Sequence, residues 1–97
     1  MSVLEVAQVP VLPGHEADFE ADLLQAASTV LPEALGFLSF TGHGWGIERP
    51  NTYLFTIHWD TLEAHTEGFR GSELFTRWRA LIGPHFDGQP VVEHFAI

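Results

Sequence analysis

At 97 residues, with no cysteine and a formal net charge of −9, the chain is sized for one domain, residues 1–97, and excludes a disulfide framework or a thiolate metal site. Thirteen acidic residues face four arginines and no lysine, a balance that repels phosphate backbones and anionic bilayers and argues against nucleic-acid and membrane partners. The opening Met1-Ser2-Val3-Leu4-Glu5 has neither a basic region nor a long apolar run, so no signal peptide or membrane span is expected and the cytoplasm is the expected location.

Val3 to Val11 reads as a first strand, rich in β-branched residues, with Pro13-Gly14 as the turn after it. Glu16, Asp18 and Glu20 load the start of a helix with negative charge, which suits its dipole. Phe19, Leu23, Ala26 or Ala27, and Val30 fall on one stripe of that helix, and Pro32 ends it. Gly36 opens a second strand, Phe37 to about Ile47, and Arg49-Pro50-Asn51 makes a hairpin turn. In the third strand Tyr53, Phe55, Ile57 and Trp59 lie on one face, with Leu54, Thr56 and His58 on the other.

Asp60 is placed to cap the next helix, with Glu63 three positions on as a capping box requires. Gly68 and Gly71 interrupt that helix. Ser72 is placed to cap a second piece whose apolar stripe is Leu74, Trp78 and Leu81 or Ile82, and Gly83-Pro84 stops it. Pro90 leads into a last strand, Val91 to Ile97. The order is β-α-β-β-α-β, which predicts an α+β domain with a four-stranded antiparallel sheet and helices on one face. The first and third strands are largely apolar on both faces, and helices can cover only one. A second copy of the sheet is the economical cover for the other, so a homodimer is expected.

Within the second strand, Gly42, Gly44 and Gly46 alternate and would point to one face, leaving room for a pocket mouth or a close sheet-to-sheet contact. Six histidines invite a metal reading. None of them forms the H-x-x-x-H spacing that puts two ligands on one helix face, so no metal site is expected.

The run Trp59-Asp60-Thr61-Leu62-Glu63-Ala64-His65, then Phe69-Arg70-Gly71-Ser72, Leu74-Phe75 and Trp78-Arg79-Ala80-Leu81, joins an aromatic strand end to a broken amphipathic helix, and Val91-Val92-Glu93-His94-Phe95 closes the chain. Over nearly its whole length the sequence resembles the antibiotic biosynthesis monooxygenase family. That resemblance implies a ferredoxin-like, dimeric α/β barrel and oxygen chemistry without metal, haem or flavin. Haem-degrading relatives carry a strand Asn, a helical Trp and a helical His. The matching places fall at Ala7 and near Gly68 and Trp78, where those residues are not found, so no haem is expected. Relatives similar to quinol oxygenases carry a helical His around Gly68–Phe69, whereas here His65 lies about one turn earlier.

His65 is the candidate general base, because an imidazole titrates near working pH and suits proton abstraction from a phenol or enol. Trp59, Phe69 and Trp78 are candidate walls of a flat aromatic pocket, with His94 or His58 as hydrogen-bond donor to the substrate. Arg70 either holds an anionic substrate or pairs on the surface with Glu67 or Glu73; the surface pair is the expected role. The expected function is a cofactor-independent monooxygenase acting on a quinol or polyphenol. The other readings are a non-catalytic dimeric binding module for a small hydrophobic ligand and a proton-transfer isomerase or cyclase on the same scaffold.

Overall fold

A computed structural model describes all residues, 1–97. Strand β1 (Val3–Pro10) is followed by helix α1 (Glu16–Thr29), β2 (Phe37–Trp45), β3 (Thr52–Trp59), a π-helical segment (Ala64–Phe69), helix α2 (Glu73–Ile82) and β4 (Val91–Ala96). Short 3-10 turns, Leu31–Glu33 and Gly83–His85, stop the two helices where Pro32 and Pro84 stand. The sheet is antiparallel with strand order β2-β3-β1-β4, the ferredoxin-like arrangement, and the helices lie on one face.

Alternation decides that face. Along β1, Val3, Glu5, Ala7 and Val9 are buried, and along β3, Tyr53, Phe55, Ile57 and Trp59 are buried. The α1 stripe of Phe19, Leu23, Ala26, Ala27 and Val30 packs down on them, as its helical spacing predicts. Trp78 and Ile82 of α2 complete the layer, with Leu74 and Leu81 only partly buried. The opposite face presents Leu4, Val6, Gln8, Leu54, Thr56 and His58, and from β4 the partners of β1 at Val91, Glu93 and Phe95. Nothing in the chain covers it, and Leu54, Val91 and Phe95 stand 43 %, 57 % and 48 % exposed.

Several local expectations shift. β2 ends at Trp45 rather than near Ile47, and its register slips twice, between Phe37 and Ser39 and between Phe40 and His43. The slips put Phe40, His43 and Trp45 opposite Ile57, Phe55 and Tyr53, on the helix face. Gly42 sits in the second bulge at φ +97°, a conformation that glycine adopts without steric cost. Gly44, between His43 and Trp45, lies opposite Leu54 on the other face; a Cβ at Gly42 or Gly44 would meet open space, whereas one at Gly46, beyond the strand, would meet the Arg49 carbonyl.

The helix after β3 is capped one residue later than expected. Thr61 Oγ1, not Asp60, accepts the Ala64 N–H at 3.1 Å. Asp60 is held by its backbone instead, its N–H donating to the Gly36 carbonyl at 2.8 Å. Ser72 occupies an extended position before α2, but its hydroxyl turns back to donate to the Phe69 carbonyl at 2.7 Å and caps nothing in α2. The helix break is real. Arg70 N–H reaches back five residues to the His65 carbonyl at 3.1 Å, and Gly71 follows where a Cβ would stand 2.6 Å from the Glu67 carbonyl oxygen.

Candidate active site

Glu5 faces inward from the middle of β1, among Val3, Ala7 and Val9, and is itself only 5 % exposed. The register sets Ile57 on one side of it and His94 on the other. A buried carboxyl needs hydrogen bonds or it loses its charge. Trp59, fully buried, donates its indole Nε1–H to Glu5 Oε1 at 2.9 Å. His65, 4 % exposed, brings Nε2 to 3.4 Å from the same oxygen. The π-helical segment supplies the placement of His65 by adding a residue to the turn, and the imidazole lies flat on the Trp59 indole, ring centroids 5.2 Å apart and planes 18° from parallel.

The other edge of the imidazole is also engaged. His65 Nδ1 is 2.7 Å from His94 Nε2, so one ring donates and the other accepts. His94 is half-buried on the edge strand β4. Trp59, Glu5, His65 and His94 thus form one continuous line from the core to the sheet edge.

Burial pushes the Glu5 carboxyl up to about 7, against the opposing influence of the Trp59 N–H and the Arg70 guanidinium. Burial also holds the His65 imidazole down to about 3, with Arg70 and His94 acting in the same direction. His94 is lowered too, by burial and then by Arg70. The resting pair at neutral pH is therefore a neutral His65 against a Glu5 poised between acid and carboxylate.

A cavity of about 310 Å³ opens beside this line. Its apolar lining includes Ala7, Phe55, Phe69 and Trp78, and its polar lining is Glu5, His65, Arg70, Arg79 and Gln89. Phe69 and Trp78 meet edge to face at 6.1 Å. Phe69 and Trp78 both line the cavity. Trp59 does not line the cavity; it lies beneath, holding Glu5 and His65. His94 meets His65 rather than the cavity itself. His58 is removed from the site altogether. It pairs with Leu4 on the opposite face of the sheet, because residues of β3 alternate and its neighbours Ile57 and Trp59 point to the helices.

Arg70 makes no ion pair with Glu67 or Glu73, the role expected for it; the arginine that pairs on the surface is Arg77, at 3.2 Å from Glu33. Reading the sequence by chemistry-bearing histidines missed Glu5. The signal was present, an acid at an inward position of an otherwise apolar alternation.

The remaining histidines are accounted for elsewhere. His85 bonds Asp22 at 2.8 Å and His15 at 3.1 Å, and His43 lies 3.5 Å from Glu20, which also accepts the Tyr53 hydroxyl at 2.6 Å. No group of three or more His, Asp or Glu side chains converges in a metal-binding arrangement, and His58 lies across the sheet from His65 and His94.

The sequence model described as antibiotic biosynthesis monooxygenase matches residues 2–81. The chain belongs to that family. It is 38 % identical over 95 residues to the uncharacterized protein YczJ of Bacillus subtilis, covering 96 % of each chain. It is 35 % identical, with a TM-score of 0.93, to a Bordetella bronchiseptica crystal structure named "Putative antibiotic biosynthesis monooxygenase", over 99 % of this chain and 96 % of that one. SnoaB from Streptomyces nogalater, described as a cofactor-independent oxygenase, shares the fold at a TM-score of 0.78 and 18 % identity, over 99 % of this chain and 92 % of that one. Within the matched region of this family member lie Glu5, His65, Phe69, Arg70, Trp78 and Arg79; His94 lies beyond it.

Proposed function

We propose that the protein is a cofactor-independent monooxygenase that oxidises a small phenol or quinol with O₂. The observation that carries the reading is the Glu5–His65–His94 line running beside an aromatic-walled cavity that Glu5 and His65 line. Membership of the family and the description of SnoaB support the same class of reaction. An electron-rich phenol can pass an electron to O₂ once it is an anion, so the protein has to remove a proton and keep the anion from bulk water. The His65–Glu5 pair, in which Glu5 is the stronger base, takes the phenolic proton and later returns it to the peroxide. The phenolate gives one electron to O₂, the radical and superoxide join at a ring carbon, and the peroxide loses water. Phenol and O₂ leave as quinone and water. Phe69 and Trp78 hold the ring flat through apolar and edge-to-face contact.

An oxygen electrode tests this with a panel of quinols and naphthols. Protein-dependent oxygen uptake matched to quinone formation is the expected result. Product formed in the absence of oxygen would mark a proton-transfer isomerase or cyclase instead. Binding without turnover would mark a binding module.

A homodimer, sheet to sheet, belongs to the same reading, as does a cytoplasmic location. The support for the dimer is the uncovered face with Leu54, Val91 and Phe95. Light scattering at micromolar concentration is expected to give twice the chain mass. Leu54→Asp, on the inner strand β3 of that face, is expected to give a monomer, since a charge there would be buried unpaired. A monomeric wild-type protein would rule the dimer out.

A further inference from the structure

The placement of positive charge says more about the substrate. The chain has four arginines against thirteen acidic residues, yet Arg70 and Arg79 both line one cavity. Neither forms an ion pair with an acid of this chain; Arg77 is the arginine that does, with Glu33. Arg49 has no such partner either, so what sets Arg70 and Arg79 apart is that both line one cavity. Arg79 is packed in position as well. Its guanidinium lies over the rings of Phe75 and Phe86, at 5.9 and 5.2 Å, and both rings line the cavity. Arg70 shares the cavity lining with Glu5 and His65, and after burial it is one of the influences on Glu5, His65 and His94.

We propose that the cavity takes a planar phenol carrying a carboxylate, the carboxylate received by Arg70 and Arg79 and the hydroxyl by the Glu5–His65 end. The inference rests on reading this cavity as the substrate site. A guanidinium fork matches a carboxylate by two parallel hydrogen bonds, which orients the ligand as well as holding it. With the anion at Arg70 and Arg79, a hydroxyl on the neighbouring ring carbon is turned towards Glu5 and His65, which line the same cavity. The volume, about 310 Å³, is at the small end of ligand pockets and suits a ligand of one or two rings. The net charge of the protein disfavours anions at a distance, but that field is screened within about 10 Å at moderate salt, and the local guanidiniums decide the bound state.

Anaerobic calorimetry tests the assignment without requiring turnover. The probes are 1-hydroxy-2-naphthoate and 1-naphthol, which differ by the carboxylate. The naphthoate is expected to bind about tenfold or more tightly than the naphthol, the size of one charge-assisted hydrogen bond. The doubly substituted protein, Arg70→Gln with Arg79→Gln, is expected to lose that preference while still binding 1-naphthol. Each single variant should lose part of it, and Arg77→Gln, at the arginine paired with Glu33, should keep it whole. Equal binding of the two probes, or a preference that survives the double substitution, would overturn the carboxylate assignment and leave the cavity reading intact. Binding of neither probe would overturn both.

Discussion

His65→Ala is expected to lower turnover by about two orders of magnitude or more, the usual worth of a positioned general base. The residue bridges the buried Glu5 carboxyl and the half-buried His94, so its loss breaks the line in the middle. Burial keeps the imidazole neutral at rest and makes it a weaker base than a free imidazole, so proton uptake there leans on the Glu5 carboxyl 3.4 Å away. Folding should survive, because alanine is the best helix former and the indole beneath is buried by other contacts, Phe37 and Phe69 among them. His58→Ala, on the opposite face, is the control and should leave the turnover number nearly unchanged at a protein concentration that preserves the assembly state. The measurement is oxygen uptake under substrate saturation. A His65→Ala protein with full turnover would remove His65 from the chemistry.

Glu5→Gln is expected to become increasingly stable relative to the wild type as pH rises, the gap growing by about 3 kcal/mol between about pH 4 and pH 8. The native state raises the Glu5 carboxyl from 4.5 to about 7. It therefore prefers the protonated acid, and Glu5 contributes stability that is fully present below 4.5 and lost as pH rises through about 7. Glutamine has the shape of the neutral acid, can accept the Trp59 N–H, and never ionises. The opposite arm belongs to His65, which is lowered from 6.5 to about 3 and contributes stability that is lost as pH falls through that range. In the wild type the two arms oppose each other between 4.5 and 6.5, so the pair adds little pH dependence there. Urea titrations at a series of pH values and one fixed protein concentration would separate them. A gap that does not change with pH would mean that Glu5 is already ionised in the folded protein.

Much of this protein is set by patterns between near neighbours. The alternation of Tyr53, Phe55, Ile57 and Trp59 and the stripe of Phe19, Leu23 and Ala26 determine which surfaces are buried, because burying apolar area is the main driving force and side-chain direction follows the local period. Gly71 at the break of the second helix is legible for a local reason too, since no side chain fits against the Glu67 carbonyl. The cap at Thr61 instead of Asp60 is a one-residue difference that two adjacent capping residues do not resolve by themselves. The bulges of β2 come from its pairing with β3, which no residue of β2 announces alone except Gly42.

The site was decided by long-range register. His94 meets His65 because β4 pairs with β1 and sets His94 beside Glu5, residues far apart in the chain. Glu5 reads in the sequence as one more acid in an acidic chain. Only packing shows it withdrawn from water, and desolvation, which depends on everything around a group, gives it a titration near neutrality. Trp59 and His58 differ for the same reason: one residue along a strand separates the layer under the cavity from the open face of the sheet.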